Sequence, residues 1–263
     1  MTNFEIKNGV LIKYNGDAKY VVIPDIVEKI GEKAFRWCNS LESIIIPESV
    51  KVIDDEAFIG CKNLENLEIA DSVTRIGNGT FYGCDSLESI KLPYSVVDIG
   101  VRAFGFCENL NFIEVDKYNQ CYCSENGVLF SKSKCELISY PTGKKDKSYK
   151  IPENVMTIKE GAFVYCKNLT NITIPDSVME IAENAFWYCE NLESVKIPER
   201  LFKIGDFSFW HCEKLKSITV PDIVTEIGKM AFYGCINLRS VSVSEYTVIA
   251  QDAFNSKVDI IRR

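Results

Sequence analysis

The residues of this 263-residue chain best suited to chemistry are its eleven cysteines and its single histidine, His211. His211 directly precedes Cys212, and a histidine beside a thiol suggests a nucleophile that is activated by a base. Neighbouring side chains usually point to different sides, and the sequence offers no third group to orient the imidazole. We therefore interpret His211 as a substitution at a position where similar segments carry Tyr165, Tyr188 or Trp37.

Cys121, Cys123 and Cys135 are the remaining candidates for a metal site. Their C-x-C spacing lacks the second cysteine or histidine pair of a structural zinc site, so we interpret them as free thiols in a hairpin. The glycine-rich stretch Gly77–Gly83 lacks the spacing of a dinucleotide-binding loop, and no G-x-S-x-G, H-E-x-x-H or Walker motif occurs. The sequence predicts no enzyme activity, no metal and no cofactor.

The other eight cysteines recur with a period of 23 residues, and each follows a phenylalanine by three positions. Self-similarity at such a period is typical of a solenoid, in which stacked repeats bury a continuous core. The cysteines are Cys38, Cys61, Cys84, Cys107, Cys166, Cys189, Cys212 and Cys235. The phenylalanines are Phe35, Phe58, Phe81, Phe104, Phe163, Phe186, Phe209 and Phe232.

One turn of the predicted solenoid runs from Leu41 to Cys61. Alternating apolar residues over Leu41–Ile46 predict a strand, which ends at Pro47 because proline cannot donate to a sheet. A second extended piece follows, and then a short helical or 3-10 turn directs Phe58 inward. The predicted inward positions are Leu41, Ile44, Ile46, Val50, Ile53, Ala57, Phe58 and Cys61.

The period is broken between Cys107 and Cys166, where the segment contains the same NGVL motif as the N-terminus. In each segment NGVL is followed by a short polar turn and then a strand, and this predicts a β-hairpin that begins an array of four repeats. We therefore predict one continuous solenoid domain. Its parts are an N-terminal hairpin cap (1–24), a first repeat array (25–115), an inserted hairpin (116–150), a second repeat array (151–247) and a truncated C-terminal cap repeat (248–263).

The composition of the chain indicates which partners and which cellular locations are expected. The net charge of −7 arises from interspersed acids and bases, which argues against a nucleic-acid partner. No apolar run is long enough for membrane insertion, and the N-terminal residues do not form a classical signal peptide. Equivalent ladder cysteines are too far apart for disulfides, so free thiols are expected, which favours a reducing, cytoplasmic setting.

The segment LTNITIPDSVMEIAENAFWYC, Leu169–Cys189, closely resembles the consensus of the BspA-type leucine-rich repeats. The fold class we predict is an α/β-type repeat solenoid of the leucine-rich-repeat kind. It would be right-handed, with a parallel β-sheet on one face, short helical or 3-10 turns and two β-hairpins. The resemblance also implies a surface or secreted protein that adheres to host proteins or other cells.

Two surfaces are candidates for binding. The strand face comprises the outward strand positions, and the aromatic ridge comprises the rings that precede the ladder cysteines. Alternatively, the ridge rings wrap the edge of the core. The strand-face positions are Ile45, Glu68, Lys91, Glu114, Thr173, Lys196, Thr219 and Ser242. The ridge positions are Trp37, Tyr82, Phe106, Tyr165, Trp187, Tyr188, Trp210, His211 and Tyr233.

These features predict a non-catalytic, adhesion-type module that binds a partner protein through the concave strand face or the aromatic ridge. One alternative is a carbohydrate-binding surface protein, since flat rows of rings suit sugars. Another is an intracellular interaction scaffold, which the free thiols and the absent signal favour.

Overall fold

Each repeat folds into two short strands that are joined by tight turns. In the repeat that begins at Leu41, β5 (Ser43–Ile46) ends at Pro47 and β6 (Val52–Ile53) follows after one corner. The computed structural model describes residues 3–263. It comprises two compact units, Met1–Lys132 with Pro141–Gly143 and Ser133–Tyr140 with Lys144–Arg263.

The first unit stacks its repeats through parallel strand pairs. Equivalent positions pair across neighbouring repeats, as in Ser43 opposite Asn66, so the register follows the sequence period. The first strands of the repeats are β3 (Tyr20–Val22), β5, β7 (Asn66–Ile69), β9 (Ser89–Leu92) and β11 (Phe112–Val115). The second strands are β4 (Lys29–Ile30), β6, β8 (Arg75–Ile76) and β10 (Asp98–Ile99).

The second unit repeats this arrangement with two parallel sheets. The first strands are β15 (Ser148–Lys150), β17 (Asn171–Thr173), β19 (Ser194–Lys196), β21 (Ser217–Thr219), β23 (Ser240–Val243) and β25 (Asp259–Arg262). The second strands are β14 (Glu136–Ser139), β16 (Thr157–Ile158), β18 (Glu180–Ile181), β20 (Lys203–Ile204), β22 (Glu226–Ile227) and β24 (Val248–Ile249). The predicted parallel-strand solenoid is confirmed.

Each predicted hairpin region contains an antiparallel hairpin, but the turn lies at the Asn-Gly of the NGVL motif and not at the polar segment after it. The strands β1 (Phe4–Lys7) and β2 (Val10–Tyr14) pair antiparallel, as do β12 (Tyr122–Glu125) and β13 (Val128–Ser131). Each is joined by Asn-Gly with positive φ at both residues, 50° and 74° in the first and 51° and 81° in the second. Two consecutive left-handed residues match the type I′ turn, whose twist suits hairpin strands.

The predicted helical or 3-10 turns are absent: no residue of the range 3–263 lies in an α-helix or a 3-10 helix. The A-F segment instead bonds to the next repeat: Phe58 N donates to Thr80 O at 2.8 Å, and Phe163 N donates to Ala185 O at 2.7 Å. Since these N–H groups are used between repeats, they cannot close bonds within a helical turn. None of the described residues therefore forms a helix able to traverse a bilayer.

A phenylalanine ladder fills the core of each unit. Phe35 and Phe58 stack with ring centroids 4.9 Å apart, and so do Phe163 and Phe186. A tyrosine at the start of each array begins the stack. The predicted inward positions of the repeat 41–61 are confirmed, since all eight are buried.

Seven of the ladder cysteines also act as hydrogen-bond donors. Cys61 Sγ lies 3.0 Å from Phe35 O, and Cys189 Sγ lies 3.0 Å from Phe163 O. The same contact recurs at Cys84, Cys107, Cys166, Cys212 and Cys235, each to the carbonyl 26 residues earlier. All eleven cysteines are free thiols. A thiol at this position therefore fills apolar space and also satisfies a buried carbonyl.

Candidate binding surfaces

His211 and Cys212 do not form a nucleophile–base pair. The thiol of Cys212 donates to Phe186 O at 3.3 Å, and burial raises its pKa well above the ordinary value. The imidazole stacks on Tyr188 with centroids 5.0 Å apart, and its Nδ1 lies 3.5 Å from a carboxylate oxygen of Glu213. The two side chains thus have separate environments, one in the core and one at the surface.

The hairpin cysteines form no metal cluster. Cys123 Sγ contacts Ser131 O at 3.3 Å across the second hairpin, and Cys121 lies just before the strand of Cys123. Cys135 lies in the second unit, beside Ser133. Among residues 3–263, no group of three or more histidine, cysteine, aspartate or glutamate side chains could hold a metal ion.

The residue directly before each ladder cysteine has a left-handed backbone, and this pre-cysteine position accepts only glycine or a ring in the eight repeats. Glycine stands at Gly60, Gly83 and Gly234; the rings are Trp37, Phe106, Tyr165, Tyr188 and His211. A left-handed conformation costs a non-glycine residue roughly 1–2 kcal/mol. Cys189 N donates to Phe186 O at 3.2 Å, so Tyr188 is the third residue of a turn that usually favours glycine there.

Five rings of the second unit form a continuous cluster, which we call the ring cluster: Tyr165, Trp187, Tyr188, Trp210 and His211. Tyr188 meets Trp210 edge-on at 4.8 Å, and Trp187 lies 5.5 Å from Trp210. Every member is half-buried. Each ring is therefore partly packed against the protein and partly accessible to solvent.

The indole N–H of Trp210 lowers the stability of the folded state. Its Nε1 is buried and has no hydrogen-bond partner among residues 3–263. Leaving a buried donor unpaired costs roughly 1–3 kcal/mol. The ring cluster therefore combines two unfavourable local features, a left-handed backbone at three rings and an unsatisfied indole N–H.

The ridge of the first unit is sparser. Trp37 is 62% exposed, and its indole lies over Gly60, where an added Cβ would come within 2.2 Å of the ring. Tyr82 and Phe106 form a half-buried pair with centroids 4.8 Å apart. In the second unit Tyr233 is exposed beside the cluster. Five of the nine predicted ridge rings thus form the ring cluster of the second unit, and Tyr82 and Phe106 form a pair in the first.

The strand face also differs between the units. Ile45, Glu68, Lys91 and Glu114 are exposed on the first, and Thr173, Lys196 and Thr219 are exposed on the second, where Ser242 is half-buried. Tyr20, which is 73% exposed at the edge of the first unit's sheet, is a further exposed position that was not predicted. The exposure of Tyr20 could have been predicted from the alternation of the strand, because Tyr20 occupies the outward position two residues before Val22.

A shallow groove of about 680 Å³ lies beside the strand face of the second unit. Lys196 and Thr219 form part of it, together with Glu199, Asp222 and Arg263. Arg263 and Asp222 form an ion pair at 2.9 Å, so the groove has mixed charge. This groove could not be predicted from the sequence, because residues from the corners of different repeats line it.

Comparison with known proteins identifies the repeats. The family described as BspA type leucine rich repeat region matches residues 6–126 and 142–261 in six copies. The chain belongs to the BspA-type leucine-rich-repeat family. None of the curated proteins matches the chain.

Solved structures of the leucine-rich-repeat class share this fold. A leucine rich cell surface protein from Faecalibacterium prausnitzii is 26% identical, with a TM-score of 0.68 over 96% of this chain and 90% of the other. A leucine-rich repeat protein from Eubacterium ventriosum is also 26% identical, with a TM-score of 0.68 over 90% and 80%. The pneumococcal vaccine antigen PcpA, 23% identical, is similar in fold at a TM-score of 0.68 over 98% and 85%.

Proposed function

We propose that this chain is a non-catalytic, adhesion-type module that binds a partner protein, with the ring cluster of the second unit as its main contact surface. The family and the solenoid fold support a repeat interaction module. The similar protein from Faecalibacterium prausnitzii is described as a cell surface protein. An exposed location would give such a module access to host or neighbouring-cell proteins.

The ring cluster is the observation that carries the proposal. Tyrosine and tryptophan are enriched at binding hot spots, because they supply large, rigid contact area. Three rings occupy left-handed positions where other repeats use glycine, and Trp210 carries an unsatisfied N–H. Local rules broken together at one surface are typical of a functional site.

The strand face provides a second, weaker contact region in this proposal. Its outward positions in the second unit are hydroxyl-bearing or lysine side chains, such as Thr173, Lys196 and Thr219. These groups can form hydrogen bonds to a partner but bury little apolar area. We therefore expect substitutions there to change affinity less than substitutions in the ring cluster.

Carbohydrate binding is the second candidate. Trp187 and Trp210 lie 5.5 Å apart with planes inclined by 34°, so both present flat faces in similar directions. Pyranose rings can stack on such faces through their C–H groups. The charges beside the cluster have both signs, with Lys167 Nζ 3.8 Å from the centroid of the Tyr165 ring and Glu213 at the imidazole of His211, which favours a glycan over a polymer of one charge.

Binding of the full chain to a panel of purified extracellular-matrix proteins and to a glycan array tests both candidates. The Trp187→Ala, Trp210→Ala double variant should weaken protein binding by roughly thirtyfold or more, as expected for a hot spot. Trp37→Ala is the matched control in the first unit and should bind as the unmodified chain does. Thr173→Glu with Thr219→Glu reports on the strand face.

Equal binding by the double variant and the unmodified chain would contradict the role of the ring cluster. A larger loss in the strand-face variant would move the site to the sheet. Glycan binding that depends on Trp187 and Trp210, without any protein ligand, would favour the carbohydrate candidate. Urea unfolding of each variant ensures that altered binding is not loss of folding.

A further inference from the structure

The first-strand sheet of the first unit ends at β3, and no strand among residues 3–263 pairs with its outer edge. On the inner side, Lys19 O accepts a bond from β5, and Ile23 N donates to Ile45 O at 3.1 Å. Alternate residues of a strand bond to opposite sides. Tyr20 and Val22 therefore direct their N–H and C=O groups away from β5, toward an unoccupied edge.

The side chains along this edge are apolar and exposed. Tyr20 is 73% exposed and Val22 is 62% exposed, and Ile45 on the adjacent strand is 40% exposed. An open edge with aromatic and β-branched side chains is a template for an added strand. Backbone bonds to such an edge supply affinity, and the alternate side chains supply specificity.

Two other edge strands, β1 and β15, carry protective features. Strand β1 carries exposed Glu5 and Lys7, and its register shifts between Glu5 and Ile6. Strand β15, the equivalent of β3 in the second unit, presents Ser148 and Lys150 outward. Charges and bulges are the usual devices against unwanted strand addition. Strand β3 has neither device.

The geometry around β3 suits a single extended segment. Strands β3 and β4 belong to one turn, but the sheet of β4 continues through β2 and β1, two strands further. At ~4.8 Å per strand, this hairpin extends roughly 10 Å beyond the edge of β3. The overhang obstructs flat end-to-end packing of a second copy, and this favours a single added segment beside β3.

Carboxylates flank the edge. Asp17 precedes β3 and Asp25 follows it; both are exposed, and neither has an ion-pair partner among residues 3–263. Lys19, the nearby cation, is already paired with Glu42 at 2.5 Å. The local charge therefore complements a segment with basic residues at its ends.

We propose that β3 is a docking strand for an extended peptide segment of a partner protein, with alternating β-branched or aromatic residues between basic ends. The segment pairs with the backbone of Tyr20 and Val22, extends the apolar surface of Ile45, and places its cations near Asp17 and Asp25. This site is separate from the ring cluster and does not depend on the function proposed for it.

Amide hydrogen exchange of the full chain tests the site at single-residue level. In the free chain, the Val21 amide should be protected, and those of Tyr20 and Val22 should exchange freely. The synthetic peptide Lys-Thr-Val-Tyr-Val-Thr-Lys should slow exchange at Tyr20 and Val22 by about tenfold or more at saturation. A peptide that is N-methylated at alternate amides should give no protection, because it keeps its side chains but loses its donors.

Two variants separate the backbone from the side chains. Val22→Pro removes the outward N–H and leaves the bonds to β5 in place, so peptide affinity should fall about tenfold. Val22→Ile is the matched control and should bind normally. Tyr20→Lys with Val22→Lys copies the charged pattern of protected edges and should abolish measurable binding without removing any backbone donor.

Several results would overturn the proposal: no binding of the peptide at millimolar concentration, protection that appears elsewhere, or unchanged affinity in Val22→Pro with unchanged urea unfolding. Normal binding by the double lysine variant would likewise exclude β3. Concentration-dependent dimers that are lost in Val22→Pro would assign the edge to a second copy instead of a peptide.

Discussion

The two units share their buried ladders and differ in the rings outside them. Phe58 and Phe81 stack at 5.4 Å in the first unit, and Phe186 and Phe209 stack at 4.9 Å in the second. The thiol contacts also recur in both. Outside the core, glycine occupies two of the first unit's four pre-cysteine positions, whereas rings occupy three of the four positions over residues 165–234.

The comparison distinguishes the positions that the fold requires from those that are free to serve binding. A solenoid needs each repeat to cover the apolar face of its neighbour, so the phenylalanine and cysteine positions cannot vary freely. The pre-cysteine position needs only a left-handed backbone, which glycine provides most easily. The fold does not need a ring at this position. Where a ring replaces glycine, selection for a ligand can therefore determine the residue.

The largest predicted effect tests the equivalence of the two cores. Phe58→Ala and Phe186→Ala each remove a fully buried ring that is stacked on both sides, so each should lower the free energy of unfolding by about 3–5 kcal/mol. Urea unfolding measures both. Tyr246→Ala, at an 82% exposed ring, is the control and should change stability by less than about 0.5 kcal/mol. A loss in one unit less than half that in the other would break the equivalence.

The next effect concerns the buried thiols of both units under alkaline conditions. Burial raises the pKa of Cys61 and of Cys235 to about 12, so the folded state holds the neutral thiol. An unfolded thiol ionises near pH 8.5–9, and the unfolded state therefore binds fewer protons above that pH. The stabilisation is complete below about pH 8.5 and is lost as the pH rises toward 12.

Stability should fall by up to ~1.4 kcal/mol per pH unit for each such thiol in that window. Urea midpoints at about pH 8 and about pH 10.5 measure the loss. Between these two pH values, stability should fall less in Cys61→Ala and in Cys235→Ala than in the unmodified chain. Lysine and tyrosine side chains also titrate in this range, but they are the same in all three proteins and so do not affect the comparison. Identical declines in the variants and the unmodified chain would show that these thiols ionise in the folded state.

The sequence allowed the repeat, the hairpins and the inward positions to be predicted, because each depends on local spacing. The hairpin turns lie at Asn8-Gly9 and Asn126-Gly127, inside the NGVL motifs, whereas the prediction had placed them at the polar segments that follow. The helical turn before Phe58 was wrong, because the neighbouring repeat takes its N–H. The hydrogen bond that replaces the helical turn forms between two repeats, so the residue spacing within one repeat does not reveal it.

The candidate sites were harder to predict for the same reason. Spacing located Trp187 and Trp210 on one ridge, but their contacts depend on how neighbouring turns stack. The glycines at the pre-cysteine position were a clue to the left-handed backbone, and the rings in equivalent repeats concealed it. The open edge of β3 could not be recognised, because the sequence does not show which strand is last in a sheet.

A smaller effect tests the packing of Trp37 on Gly60. Gly60→Ala places a Cβ within 2.2 Å of the indole at a φ of 71°, whereas at Gly83, with a φ of 72°, the nearest atom would be 3.7 Å away. Gly60→Ala should therefore cost about 2 kcal/mol and Gly83→Ala about 1 kcal/mol. In a Trp37→Ala background the two costs should become equal. A difference that persists without the indole would exclude this contact as its cause.

The smallest predicted effect is a change of sign, and it tests whether the rings occupy positions suited to glycine. At an ordinary backbone position alanine is more favourable than glycine, but at a left-handed position glycine is more favourable. Tyr188→Gly should therefore be more stable than Tyr188→Ala by about 1 kcal/mol, and Phe106 in the first unit should show the same order. Trp187, whose φ is not positive, should show the opposite order in paired urea titrations. If Tyr188→Ala were the more stable variant, the turn would not require a left-handed residue, and the contrast between ring and glycine repeats would lose its physical basis.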